Sequence, residues 1–247
     1  MSFTSAVIVA AGKGTRMGPN VDKLFLEVAG RPVVAHAWAM FDASPVIDEI
    51  ILVIRDPLRA DFEKIRADLG FKKPVRFASG GAERQNSVWN GLERISPEAE
   101  IVAIQDGARP CTMQSIIEDC VVAAREFGAS VAAQKVTDTL KEADARGLIV
   151  GNIDRSKLWA VQTPQVFRVE ILRKALQEVF KRGMLVTDDT AACELIGRPV
   201  KLVESKTPNP KVTTPGDLPL IDLILRQRKS EQELDKSDFS RQTLAAE

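Results

Sequence analysis

The chain carries one histidine, His36, in 247 residues. A two-histidine metal site is therefore excluded, and a histidine-dependent triad has only this residue to draw on. His36 lies in the apolar helical stretch Val33-Val34-Ala35-His36-Ala37-Trp38-Ala39, where packing is the expected role. Cysteine is scarce too: Cys111, Cys120 and Cys193 are odd in number and form no C-x-x-C pair. That argues against a disulfide framework or zinc ribbon and for reduced, buried thiols in the cytosol. No run approaches the ~20 apolar residues that a membrane span needs. The first apolar run has no basic stretch before it and enters a glycine loop, so no signal peptide is expected and the location is expected to be cytoplasmic. Neither sign of charge is in excess, with 34 Lys+Arg against 34 Asp+Glu. This balance argues against nucleic acid or a membrane surface as the main partner. The basic cluster at 226–229 reads as a solvated helix end.

What is present suits one α/β domain, since the length allows a full core and 45% of the residues are hydrophobic. Short apolar runs at 5–10, 49–54, 101–104 and 129–133 read as buried parallel strands, and 75–78 as a weaker fifth. Helical patterns at 32–41, 58–69, 84–95 and 114–127 alternate with them. That rhythm predicts a Rossmann-like, mostly parallel twisted sheet flanked by helices, with ligands at the carboxyl ends of the strands. It breaks in the polar stretch 136–157, a segment long enough to be functional or to serve assembly. Helices are expected again at 169–181, 188–196 and 215–227, and a short strand at 200–204. The expected domain spans 1–228, and the polar stretch 229–247 reads as a disordered tail.

Three groups of residues point to phosphate chemistry. Ala10-Ala11-Gly12-Lys13-Gly14-Thr15-Arg16-Met17-Gly18 leaves the first strand directly. Glycines let backbone N–H groups approach phosphates, and Lys13 and Arg16 add charge. The loop lacks the third glycine of a dinucleotide fingerprint and the Gly-Lys-Ser/Thr of a Walker loop. Lys23 follows closely, either as a surface residue or as a cation aimed at the same phosphates. Asp106 ends the apolar run at 101–104, a place where an aspartate either caps a turn or holds Mg²⁺ beside phosphates.

Taken in order, Ala10-Ala11-Gly12-x-Gly14-x-Arg16-Met17, Lys23-x-Phe25-Leu26, Gly80-Gly81-x-x-Arg84-x-x-Ser87-Val88, Asp106-x-Ala108-Arg109-Pro110, Asp138-Thr139, Asp154-Arg155, Gln162-Thr163-Pro164-Gln165, Thr187-Asp188-Asp189 and Lys211-Val212-Thr213 resemble the 2-C-methyl-D-erythritol 4-phosphate cytidylyltransferase family of GT-A-like nucleotidyltransferases. The resemblance implies that Ala10, Ala11, Gly12 and Gly14 bind the triphosphate of CTP. Arg16, Lys23 and Lys211 would be catalytic cations. Gly81, Ala82 and Ser87 would meet the pyrimidine base, and Asp106 and Gly107 would complete the nucleotide site. Asp106 would also hold Mg²⁺ or another hard divalent cation. Asp106, Arg109, Thr139, Arg155, Thr163 and Thr187 would surround the polyol phosphate acceptor. The segment 136–157 would be a projecting β-arm that makes a homodimer, and the resemblance leaves open whether Arg155 serves its own subunit or the partner. Two departures stand out: Asp22-Lys23-Leu24 replaces a common Pro-Lys-Gln, and Gly107 stands where alanine is frequent. A cytidylyltransferase for another polyol phosphate, such as ribitol 5-phosphate, shares most of these motifs. A nucleotide-binding module without catalysis is a third reading, and retention of all four of Arg16, Lys23, Asp106 and Lys211 argues against it.

Overall fold

The computed structural model describes residues 2–12, 14–18 and 21–244. In chain order the elements are β1 (Phe3–Val9), β2 (Glu27–Val28), β3 (Arg31–Pro32), α1 (Val33–Ala43), β4 (Glu49–Ile54), α2 (Arg59–Leu69), β5 (Val75–Ser79), α3 (Arg84–Leu92) and β6 (Ala99–Asp106). Then come α4 (Gln114–Phe127), β7 (Ala129–Lys135), β8 (Leu140–Ala143), β9 (Ile149–Ile153), β10 (Trp159–Arg168), α5 (Val169–Lys181), α6 (Asp189–Leu195), β11 (Lys201–Glu204) and α7 (Asp217–Leu244).

Seven strands make one sheet in the order β11-β7-β10-β6-β1-β4-β5. All its neighbours are parallel except β10, which runs antiparallel to both β6 and β7. The expected mostly parallel α/β sheet is present. Period-two alternation decides which layer each strand residue feeds. Ala6 and Ile8 of β1, with Ile50, Leu52 and Ile54 of β4, pack under α1, α2 and α4 against Trp38, Phe41, Phe62 and Ile117. Their alternates Val7, Ile51 and Val53 pack on the other face against Val88 of α3 and Leu172, Leu176 and Val179 of α5. Because both faces are covered, the inner strands are mostly apolar, and β4 is buried at every position.

Two expectations need correction. No strand was expected at 159–168, yet β10 is central; Pro164 and three glutamine or threonine side chains disguise it, and its register breaks between Val161 and Gln165. The helix expected to stop at 227 runs on as α7 to Leu244, across the boundary placed at 228/229, so the tail is helical that far. Residues 245–247 lie outside those described. The segment 136–157 contains the two-stranded β8–β9 hairpin, paired Leu140↔Ile153 through Ala143↔Ile149. Among the described residues no helix is long and apolar enough to cross a membrane. The three cysteines are free and buried. His36 packs on α1 with Nε2 2.7 Å from the Val28 carbonyl, and burial lowers its pKa.

Candidate active site

Strand register builds the site. Val9 of β1 pairs with Asp106 of β6 on one side and with Val53 of β4 on the other, and Ile54 of β4 pairs with Ser79 of β5. The carboxyl ends of four strands therefore open side by side, and the segments 10–12, 55–56, 80–82 and 106–108 share one rim. Between them lies a cleft of about 790 Å³ lined by Ala10, Ala11, Gly12, Lys23, Gly81, Ala82, Ser87, Asp106 and Lys211, all named from sequence, together with Arg55 and Arg84. A shallower depression of similar size between α2 and β5 has no strand-end carboxylate and no glycine loop.

Two glycines of the rim are required by close approach. A Cβ at Gly80 would lie 2.3 Å from Ala11 Cβ, and one at Gly81 would lie 2.3 Å from Asn86 Cβ. Gly81 N–H donates to Ser87 Oγ at 3.0 Å, and that hydroxyl donates on to the Glu83 carbonyl at 3.3 Å. Ser87 thus fixes the loop expected to read the base. Gly14 adopts a left-handed φ of 61°, and a Cβ there would stand 3.3 Å from the Lys23 stem. Gly12 is different: nothing lies within 4 Å of the Cβ it lacks, so its backbone faces open space.

Three cations converge on one carboxylate. Lys211 Nζ lies 2.6 Å from Asp106 Oδ2, Arg84 Nε 3.2 Å from Oδ1, and Arg109 Nε 3.9 Å from Oδ2. Burial alone would raise the Asp106 carboxyl, but Arg84, Lys211 and Arg109 outweigh it and hold it well below the usual carboxylate range. Lys23 donates from Nζ to the Val212 carbonyl at 2.6 Å. Its pKa is lowered, chiefly by burial and next by Lys211, with Arg16 adding a smaller push. Arg16 is exposed on the 3-10 turn Thr15–Met17, whose Met17 is anchored in the core. Asp22, the departure beside Lys23, pairs with Arg55 and accepts from Leu24 N–H at 3.1 Å, while the Leu24 side chain enters the core.

Not every expected residue joins the cleft. Gly107 lies beneath it, donating its N–H to the Val9 carbonyl at 3.0 Å. Arg109 is a support: its Nη1 donates to the Asn209 carbonyl at 2.7 Å. Thr163 is buried, and its Oγ1 accepts from Asp106 N–H at 3.1 Å. Thr139 and Arg155 are exposed at the base of the β8–β9 hairpin, where Arg155 donates to the Thr137 carbonyl, and Thr187 is exposed before α6. Lys13 lies outside the described residues. Arg84 and Asp189 stand inside the matched motifs with no role assigned to them from sequence. Arg84 in fact joins Asp106 to the wholly buried Asp189, 2.7 Å from its Nη1. Burial pushes Asp189 up, and Arg84 opposes that push. Helical spacing placed Arg84 at a helix start, but only the fold reveals two carboxylates from distant segments around it.

A hard divalent cation fits this donor set in one way. Among the described residues no cluster of three or more His, Cys, Asp or Glu could hold a metal. Asp106 offers a single carboxylate whose oxygens already meet Arg84 and Lys211, so Mg²⁺ would be carried mainly by phosphate oxygens and would reach Asp106 only as Lys211 turns to the phosphates.

Comparisons with known proteins agree with this fold. The family model IspD: 2-C-methyl-D-erythritol 4-phosphate cytidylyltransferase matches residues 4–227. A protein of that name from Geobacillus thermodenitrificans is 42% identical over 227 residues, covering 92% of this chain and 98% of its own length. Another, from Caldanaerobacter subterraneus subsp. tengcongensis, is 42% identical over 225 residues, covering 90% of this chain and 99% of its own. The crystal structure of 4-diphosphocytidyl-2C-methyl-D-erythritol synthase from Anaerococcus prevotii superposes with a TM-score of 0.81 at 30% identity, covering 91% of this chain and 96% of that one. With its fold, its strand-end cleft and 224 consecutive residues matched, the chain belongs to the 2-C-methyl-D-erythritol 4-phosphate cytidylyltransferase family.

Proposed function

We propose that the chain joins CTP to 2-C-methyl-D-erythritol 4-phosphate, giving 4-diphosphocytidyl-2-C-methyl-D-erythritol and pyrophosphate on the route to isoprenoid precursors. The observation that carries this reading is the convergence of Lys23, Lys211 and the glycine rims around Asp106 in one cleft. In the reaction a phosphate oxygen of the acceptor forms a bond to the α-phosphorus of CTP. The bond from that phosphorus to the bridging oxygen of the β-phosphate breaks, and pyrophosphate leaves with the electron pair. The nucleophile needs no general base, because the second pKa of a phosphate monoester is about 6. What the reaction needs is charge neutralisation and alignment. Lys23 and Lys211 supply fixed positive charge beside the α-phosphate, and exposed Arg16 closes over the triphosphate from the loop after β1. Gly12 and Gly14 let backbone N–H groups reach its oxygens, and the 80–82 loop receives the base. Mg²⁺, held by Asp106 and the phosphates, would neutralise charge on the α-phosphate and the departing pyrophosphate.

The chain is proposed to act as a cytoplasmic homodimer. The tip of the β8–β9 hairpin exposes Leu148, Ile149 and Val150 by 55, 67 and 60%, an apolar ridge suited to a second subunit. Arg155 and Thr139 at its base would then meet the acceptor phosphate. The test is pyrophosphate release with Mg²⁺, each of the four nucleoside triphosphates, and either 2-C-methyl-D-erythritol 4-phosphate or ribitol 5-phosphate. Release confined to CTP with methylerythritol phosphate is expected. Faster release with ribitol phosphate would overturn the acceptor, and release with no pair would overturn the activity.

A further inference from the structure

Thr187 sits in a segment with little burial of its own: Met184 is 40% and Leu185 72% exposed. Such a stretch drifts unless polar contacts hold it. The contacts come from the first turn of α3, about a hundred residues earlier. Gln85, 7% exposed, donates from Nε2 to the Met184 carbonyl at 2.9 Å and accepts at Oε1 from Val186 N–H at 3.0 Å. One amide group thus answers a carbonyl and an N–H two residues apart, as a neighbouring strand would. Arg84, the residue before it, grips Asp189 on the other side of Thr187 while also holding Asp106. Gln165 of β10 closes the frame, donating to Asp188 Oδ2 at 2.9 Å and accepting from Asp189 N–H at 3.1 Å. The backbone on both sides of Thr187 is therefore set by Arg84 and Gln85, which continue the 80–82 rim, together with Gln165 of β10.

We infer that Gln85 is a positioning residue for acceptor recognition, tying the 184–187 segment to the nucleotide loop so that Thr187 is presented to the acceptor phosphate. The inference rests on the proposed reaction and on the family resemblance, which puts Thr187 among the residues around the acceptor. Gln85 itself touches neither substrate; it acts through the 184–187 backbone. A purely packing role would disturb both substrates or neither. A positioning role predicts a one-sided effect.

The test uses the 247-residue chain and two variants. Gln85→Leu keeps the approximate volume and removes both hydrogen bonds. It is expected to raise the acceptor KM about tenfold, the equivalent of one buried hydrogen bond, with the CTP KM changed less than about twofold. Amide exchange at Val186 should quicken in the same variant without any substrate present. In Gln85→Glu the carboxylate can still accept from Val186 N–H, but it can donate to Met184 only when protonated. Its acceptor KM, measured relative to wild type, should therefore recover as pH falls, and this arm decides the matter if Gln85→Leu does not fold. Equal rises in both KM values, or no pH-dependent recovery in Gln85→Glu, would overturn the inference. Unaltered exchange at Val186 would overturn it whatever the acceptor proves to be. Faster turnover of ribitol 5-phosphate than of methylerythritol phosphate by the wild type would instead overturn the named acceptor, and the same KM split would then be read with that substrate.

Discussion

Lys211 and Asp106, 105 residues apart in sequence, meet at 2.6 Å across the mouth of the cleft. The ammonium is the more exposed partner, 37% against 11% for the carboxylate. A triphosphate entering the cleft therefore competes with Asp106 for Lys211. Replacing Lys211 with alanine is expected to lower kcat/KM by roughly 10²–10³, the range for losing one preorganised charge donor. Steady-state kinetics on a variant whose melting temperature stays near wild type checks this, and a loss below fivefold would remove Lys211 from the reaction.

Lys23 should titrate below an ordinary lysine. Burial is the larger cause and the Lys211 charge the second, so Lys211→Met should return the value only part of the way upward. Carbon-13 NMR of the labelled ammonium methylene measures this in the free protein. A Lys23 titration at or above that of a surface lysine would contradict the described burial.

Asp106 links stability to pH. Its folded-state pKa lies below the unfolded value of about 3.9, so its contribution is complete above that value and is lost as pH falls toward the folded one. Asp106→Asn leaves Arg84 and Lys211 without their shared carboxylate and is expected to cost about 3 kcal/mol at pH 7. Urea unfolding should show that difference narrowing below about pH 4. A difference that is the same at pH 7 and pH 3 would deny the linkage.

The glycines should separate by role. Gly12→Ala adds a methyl group to open space and should leave the melting temperature unchanged while raising the CTP KM about tenfold, because the backbone can no longer approach phosphate closely. Gly81→Ala sets a Cβ against Asn86 and should destabilise the free protein by about 1–3 kcal/mol. Thermal melts of the two variants, side by side, distinguish them.

Ile149→Glu places a charge on the exposed apolar ridge and should halve the mass seen by sedimentation equilibrium, with turnover falling in parallel. A monomeric wild type, or a dimeric variant of unaltered activity, would remove the arm from the interface.

Local signals made most of this molecule legible. The apolar runs and glycine exits located β1, β4, β5, β6 and β7, and the cleft residues Gly12 and Asp106 follow from standing at those exits, whereas Lys23 and Gly81 took their roles from the family resemblance. β10 escaped because its buried polar side chains are satisfied by partners far away in sequence: Thr163 by the Asp106 backbone, and Gln165 by Asp188 and Asp189. Arg84 escaped for the same reason. Its significance lies in carboxylates 22 and 105 residues away, which no local pattern records. Gln85 is harder still, since an amide beside a helix start is ordinary in a sequence.

The reversed direction of β10 has a consequence for how such a protein could diversify. Lys135 at the end of β7 pairs with Trp159 at the start of β10, so the chain leaves the sheet and returns to it at adjoining positions on the same edge as Asp106. Everything between them is a detachable cassette. It can lengthen, shorten or change its tip without shifting a single ladder of the seven-stranded sheet. If Thr139 and Arg155 meet the acceptor as proposed, their part of its recognition can change at one point of the chain while the strand ends around Asp106 stay as they are.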